Sequence, residues 1–135
     1  MYKLIDLPKI SRSGVGDLTF IEGQNHIPFE IKRVYYIYNT GDGEQRGRHA
    51  YKTIQSLILA LHGKFDITLD DGQDRVQISL NSPERGLYVP AMTWKELDNF
   101  SAGAVCLVLV SDLYREDDYI RDYGVFIREA RLLKR

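Results

Sequence analysis

The stretch RGRHAYKTIQSLILALHG, residues 46–63, is where the fold becomes readable. Its second half, 55–62, is a compact aliphatic run that reads as a β-strand closed by Gly63. Its first half carries His49 and Tyr51 two residues apart, and alternate residues on one strand point the same way. The alternation of a histidine and a tyrosine, directly after Arg46 and Gly47, marks the stretch as a candidate site.

On either side the chain continues in the same style, with short segments rich in β-branched and aromatic residues separated by Gly, Asp, Asn and Pro. The candidate strands are 18–22, 33–38, 55–62, 64–70, 75–80, 86–89, 93–99 and 104–111. In 75–80, Val76, Ile78 and Leu80 alternate with Gln77 and Ser79, a period of two that sets one face on a core and the other in water. Asp70, Asp71, Gly72 and Gln73 between two such runs form a hairpin turn, since Asp-Gly readily supplies positive φ. Only the final segment YGVFIREARLLKR has helical spacing, with Phe126, Ile127, Ala130 and Leu133 on one side. The expectation is one all-β domain over 1–135, a sandwich or barrel with a short C-terminal α-helix.

A chain of 135 residues is long enough to bury roughly two-thirds of its unfolded surface in one core. Its 18 Lys and Arg against 19 Asp and Glu, a net charge of −1, create no basic field, which argues against nucleic acid or a membrane surface as partner. The single cysteine, Cys106, lies in the apolar run AVCLVLV and has no intrachain disulfide partner, which fits a reducing cytoplasm. No charged-then-apolar leader opens the sequence and its apolar runs are too short to span a bilayer, so a cytoplasmic location is expected.

The pair His49 and Tyr51 is similar to the first signature stretch of cupin barrels. That stretch usually reads His-x-His followed by Glu, and a second stretch with Pro-x-Gly and His completes a metal site. Here Tyr51 holds the second histidine position, Gln55 the glutamate position, and Gly63 the closing glycine. The second stretch is GLYVPAMTWKELDNF, with Pro90 retained, Met92 where glycine is usual, and Trp94 and Lys95 where a histidine is usual. One good ligand of four remains, and phenol, amide and ammonium are poor company for a divalent ion, so no metal is expected. The polar, aromatic and basic groups that remain suit an anionic organic ligand. His26 and His62 lack such neighbours and read as surface or turn residues.

The segments IPFEIKRVYYIY, RGRHAYK, LDDG, SPERGLYVPAMTWKELDNFS, CLVLVSDLY and DDYIRDY follow one another in the order found in the dTDP-sugar 3,4-ketoisomerases, and nearly end to end the chain resembles that family. The resemblance implies an RmlC-like cupin, a jelly-roll β-barrel that uses no cofactor. It implies an isomerase that moves the carbonyl of dTDP-4-keto-6-deoxy-D-glucose from C4 to C3, on the way to amino sugars of bacterial surface polysaccharide. It also implies a homodimer with exchanged strands. Departures fall at Tyr51, where members usually have histidine, at Lys95, usually His or Arg, and at Val15, usually larger and polar or aromatic.

Moving a ketone between adjacent carbons requires a base for the proton α to the carbonyl, a holder for the enediolate, and a proton returned to the neighbouring carbon. A histidine of near-neutral pKa suits the first task, so His49 is the expected base. Lys95 or Arg46 are placed to hold the enediolate oxygen, and Tyr51 is an acid or oxyanion donor unless cations lower its pKa. Arg33 and Arg46 are the expected diphosphate ligands, because guanidinium forks match phosphate oxygens. Tyr35, Tyr88 and Trp94 are the expected aromatic surfaces for base or sugar. In Arg33-Val34-Tyr35 the alternation places Arg33 and Tyr35 on one strand face and Val34 and Tyr36 on the other. The acidic run REDDYIRDY reads as a solvated or subunit-facing turn, its carboxylates interleaved with Arg115 and Arg121. Two other outcomes compete: epimerisation of a related dTDP-4-keto sugar, which begins with the same proton removal, and a non-catalytic dTDP-sugar-binding cupin.

Overall fold

A computed structural model describes every residue of the chain except Asp42, Glu44 and Arg135. In chain order its strands are β1 (Lys3–Asp6), β2 (Lys9–Arg12), β3 (Gly16–Thr19), β4 (Arg33–Ile37), β5 (Arg46–Tyr51), β6 (Ser56–His62), β7 (Phe65–Asp70), β8 (Arg75–Leu80), β9 (Arg85–Val89), β10 (Trp94–Asp98) and β11 (Val105–Val110). A 3-10 turn at Glu116–Asp118 leads into the short strand β12 (Tyr119–Ile120), and helix α1 (Tyr123–Leu133) ends the chain. One sheet has the order β1-β9-β6-β11-β4 and the other β12-β5-β10-β7-β8, and β2 pairs with β3 in a separate hairpin. From β4 onward the chain alternates between the two sheets, except for the β7–β8 hairpin, and all pairings of named strands are antiparallel.

The inner faces meet in one core. Ile58 and Ala60 of β6, Cys106, Val108 and Val110 of β11, and Leu87 and Val89 of β9 pack against Tyr51, Ile67, Leu69 and Leu97 of the facing sheet. Strand β6 is apolar on both faces because its outer side is covered too: Leu57 and Leu59 lie under Leu7, Ile27 and Phe29. Helix α1 closes the outer side of the other sheet, seating Phe126 and Ala130 on Ala50, Trp94 and Ile120. Asp122 caps the helix by accepting a hydrogen bond from the Val125 amide at 3.0 Å. Of the four residues expected on its buried face, Phe126 and Ala130 are buried and Ile127 is partly so, whereas Leu133 is 68 % exposed because the last turn runs past the sheet.

The β7–β8 hairpin forms where the Asp-Gly pair places it, with Gly72 at φ +96° and its amide donating to Asp70 Oδ1 at 2.8 Å. The first expected strand, 18–22, is instead the end of β3 and the residues after it, and β1, β2, β5 and β12 form outside the expected set. His26 sits in a turn, its Nδ1 accepting from the Glu22 amide, and His62 ends β6 exposed. Val15 lies at the tip of the β2–β3 hairpin, 78 % exposed. Among the described residues no helix is long and apolar enough to cross a membrane.

Candidate active site

Strand β5 carries the site because its pairing with β10 is irregular. Lys95 sits opposite His49, but Leu97 sits opposite Arg46, so β5 spends one residue more than β10 over the same span. The extra residue is a β-bulge, a local kink that re-aims the side chains beside it. Gly47 has φ +89°, and a Cβ there would lie 2.8 Å from Leu97 Cδ1, so the kink requires glycine. The kink brings the Gly47 carbonyl against His49 Nδ1. A carbonyl only accepts, so Nδ1 carries the ring proton and Nε2 keeps its lone pair. That Nε2 is buried and has no protein partner.

A cavity of about 410 Å³ opens at the edge of the sandwich between β4, β5, β10 and β12. His49, Lys95, Tyr35, Arg46, Tyr119 and Arg121 line it over an aliphatic floor of Ile58, Leu97 and Val108. Among the described residues no carboxylate lines it. The Lys95 amine lies 4.1 Å from the centre of the Tyr51 ring, a cation–π contact in a buried setting. The rings of Tyr51 and Tyr119 lie 5.0 Å and 4.8 Å from that of His49, and their hydroxyls are 3.2 Å apart. A larger, mostly apolar pocket of about 460 Å³ lies between Tyr2 and Val76, but among the described residues neither a histidine nor a cluster of cations lines it.

Burial governs the protonation states. Desolvation first, then the Lys95 ammonium, holds the His49 pKa down at about 3. This corrects the expected near-neutral histidine: at pH 7 the ring is the free base. Desolvation, helped by the Arg33 guanidinium, lowers Lys95 to about 7. Desolvation and the phenol of Tyr35 push Tyr51 well above its usual range, although Lys95 lies against it. Nearby cations therefore do not turn Tyr51 into a base; it stays a neutral donor.

Six of the eight residues singled out in the sequence gather at this edge. His49, Lys95, Tyr35 and Arg46 line the cavity and Tyr51 lies beneath Lys95. Arg33 shares the inward face of β4 with Tyr35, its guanidinium 5.6 Å from the Tyr35 ring and 5.7 Å from that of Tyr114, with Nε and Nη2 buried and unpartnered. Trp94 and Tyr88 are elsewhere. Trp94 faces the opposite side of β10 from Lys95, packs on Phe126 and donates to Glu96 at 2.8 Å. Tyr88 faces the outer side of β9, packs with the Leu57 cluster and donates to Gln55 at 2.6 Å, so Gln55 too points away from the cavity.

Tyr119 and Arg121 were not foreseen. They lie in the acidic run, which is the mostly exposed turn expected before the helix and in addition forms a wall of the cavity: β12 pairs with β5, Tyr119 opposite Tyr51. Their spacing of two within DDYIRDY was the available signal. Among the described residues no group of three His, Cys, Asp or Glu side chains could hold a metal ion.

Residues 1–131 match the protein family described as FdtA: WxcM-like, C-terminal. The chain is 46 % identical over 124 residues to a TDP-4-oxo-6-deoxy-alpha-D-glucose-3,4-oxoisomerase of Aneurinibacillus thermoaerophilus, covering 92 % of this chain and 88 % of the relative. It superposes on a 3,4-ketoisomerase from Helicobacter canadensis with a TM-score of 0.93 and 42 % identity, over 96 % of this chain and 97 % of that one. A histidine-to-asparagine mutant of the 3,4-ketoisomerase QdtA from Thermoanaerobacterium thermosaccharolyticum, in complex with TDP-4-keto-6-deoxyglucose, matches with a TM-score of 0.94 and 40 % identity, over 97 % and 94 %. The cationic cavity around an imidazole with a free Nε2 thus sits in a chain that belongs to the FdtA, WxcM-like family of sugar 3,4-ketoisomerases.

Proposed function

We propose that the protein converts dTDP-4-keto-6-deoxy-D-glucose to a dTDP-3-keto-6-deoxyhexose, with His49 as the base. The observation that carries this reading is the buried, unpartnered Nε2 of His49 facing a cavity lined by cations and phenols and, among the described residues, by no carboxylate. Nε2 takes the C3 proton, and the electron pair left behind forms the enediolate as the C4 carbonyl oxygen gains negative charge. Lys95 stabilises that oxygen, and the neutral phenols of Tyr35 and Tyr51 donate to it. The low pKa of His49 keeps it unprotonated before substrate arrives, and the enediolate then supplies the negative charge that the imidazolium lacks in the empty cavity. Delivery of a proton to C4 from the imidazolium after exchange with solvent, with the C3 hydroxyl proton passing to the C4 oxygen, completes the isomerisation.

The donor set supports chemistry without a metal: the position that would pair with His49 is a phenol, and the facing strand offers an amine. Arg46, on the mouth side of His49, suits the diphosphate. Two features support a homodimer. The β2–β3 hairpin stands alone with Ile10, Val15 and Leu18 exposed, and a lone hairpin is marginal in water. The edge strand β4 shows Val34 and Tyr36 to solvent. The buried free thiol of Cys106 is compatible with a reducing cytoplasm and a place in nucleotide-sugar synthesis for surface polysaccharide. The test is product analysis by NMR after incubation with dTDP-4-keto-6-deoxy-D-glucose. A carbonyl at C3 is the expected result; an inverted centre with the carbonyl still at C4 identifies an epimerase instead, and unchanged sugar identifies a binding protein.

A further inference from the structure

Among the described residues Lys95 is the one primary amine that lines the cavity, at a position where the family resemblance leads to His or Arg. Neither an imidazole nor a guanidinium condenses stably with a ketone, whereas a lysine amine does. The departure at Lys95 therefore changes what the site can do, not only how it carries charge. Strand β10 holds the residue in place: Lys95 stands between His49 of β5 and Leu69 of β7, paired with the sheet on both sides. Its side chain is buried, and Nζ rests 4.1 Å from the centre of the Tyr51 ring.

The surroundings favour the free amine. On this side of the sandwich β4 contributes Arg33 and Tyr35, β5 contributes Arg46, His49 and Tyr51, and β11 contributes Cys106, while Tyr119 and Arg121 close the edge. The fixed charges among these are the three arginines, all positive, and among the described residues no carboxylate lines the cavity to offset them. Leu69 of β7 and Ile58 of β6 add no charge. An ammonium here is both dehydrated and crowded by like charge, the setting in which a lysine becomes a nucleophile. Burial, then the Arg33 guanidinium, brings the amine down to about 7, so near neutral pH a large share of it carries a free lone pair.

We propose that the amine of Lys95 condenses reversibly with the carbonyl carbon of the bound keto sugar, giving an imine beside the isomerisation path. The assignment rests on the keto-sugar reading of the cavity, in which Lys95 already reaches the C4 oxygen. The nitrogen lone pair attacks C4, and the π electron pair of the carbonyl moves onto oxygen. That oxygen leaves as water with the two amine protons, and a C4–N double bond replaces the C4–O one. No oxidant or cofactor is consumed, and water reverses the step. Protonation divides the two roles of Lys95: the ammonium holds the enediolate oxygen, and the amine adds to the carbon.

Borohydride trapping, read by intact-protein and peptide mass spectrometry, tests it. The native chain and His49→Asn, which should hold the ketone without turning it over, are equilibrated with dTDP-4-keto-6-deoxy-D-glucose and then quenched with borohydride. Reduction turns the imine into a stable secondary amine. The protein is expected to gain the mass of the keto sugar nucleotide less one oxygen, on the peptide that contains Lys95. The yield should rise about ten-fold from pH 6 to pH 8 as the ammonium discharges, and excess dTDP should suppress it. Lys95→Arg keeps the charge and should give no adduct, with its dTDP binding showing that it is folded. An adduct that persists in Lys95→Arg or ignores excess dTDP overturns the imine, as does the absence of any adduct at pH 8. A chain that moves the carbonyl to C3 yet is never trapped keeps the isomerase reading and loses this one. A chain that is trapped on Lys95 but never moves the carbonyl does the reverse.

Discussion

Lys95 is buried to 2 % exposure beside a second cation, which makes it costly as an ammonium and useful for the same reason. An amine held at about pH 7 instead of 10.5 means that the unfolded chain binds more protons than the folded one between those values. Stability from this group therefore rises as pH increases from 7 to about 10 and is lowest below pH 7. Lys95→Met, which removes the charge and keeps the length, is expected to raise stability by on the order of 1 kcal/mol at pH 6 and by less at pH 10. Urea titrations of both proteins at the two pH values measure it; equal differences at both contradict the buried charge. The same variant is expected to lose about 100-fold in kcat, because a neutral thioether cannot hold an enediolate. In the native chain kcat/KM should fall above about pH 7 as Lys95 discharges, a limb that Lys95→Arg removes. His49, at about 3, adds no acid limb near pH 6.

At the scale of the element, the decisive feature is the bulge in β5, since it joins Gly47, His49 and Lys95 in one local geometry. Gly47→Ala forces a Cβ against Leu97 and a side chain into the left-handed region, at a cost of about 1–3 kcal/mol. It is expected to lower kcat more than dTDP affinity, because the carbonyl that fixes the His49 tautomer moves; thermal melting and steady-state kinetics read the two effects. An intact kcat in a destabilised protein refutes the orienting role of the bulge. Most strands with a buried face were legible: β4, β6, β7, β8, β9, β10 and β11 form within a residue of their expected bounds, whereas β5, half buried, was not among the expected strands. Strands β1, β2 and β3 are mostly exposed and carry no alternation to read. Strand parity explains both misplaced aromatics. Neighbours on a strand face opposite ways, so Lys95 facing in turns Trp94 out, and Leu87 facing in turns Tyr88 out. The parity of Arg33 and Tyr35 was read correctly by the same rule. Tyr119 and Arg121 escaped because composition directs attention to the carboxylates around them, while their role depends on a long-range pairing with β5.

Across the whole molecule, two sheets share one core, helix α1 seals one outer face, the 27–29 segment covers the other, and one edge is left open. We read the chain as one domain on that basis, since neither sheet has a core of its own. Imidazole, amine and phenol occupy that open edge. The central claim is that the His49 imidazole moves a sugar proton there. It is tested most directly by incubating the native chain and His49→Asn with dTDP-4-keto-6-deoxy-D-glucose in heavy water and following the sugar by NMR. The native chain should yield the 3-keto sugar with solvent deuterium at C4, and His49→Asn should bind dTDP almost unchanged yet introduce no deuterium and leave the carbonyl at C4. Carbonyl transfer by His49→Asn at the native rate would contradict the account.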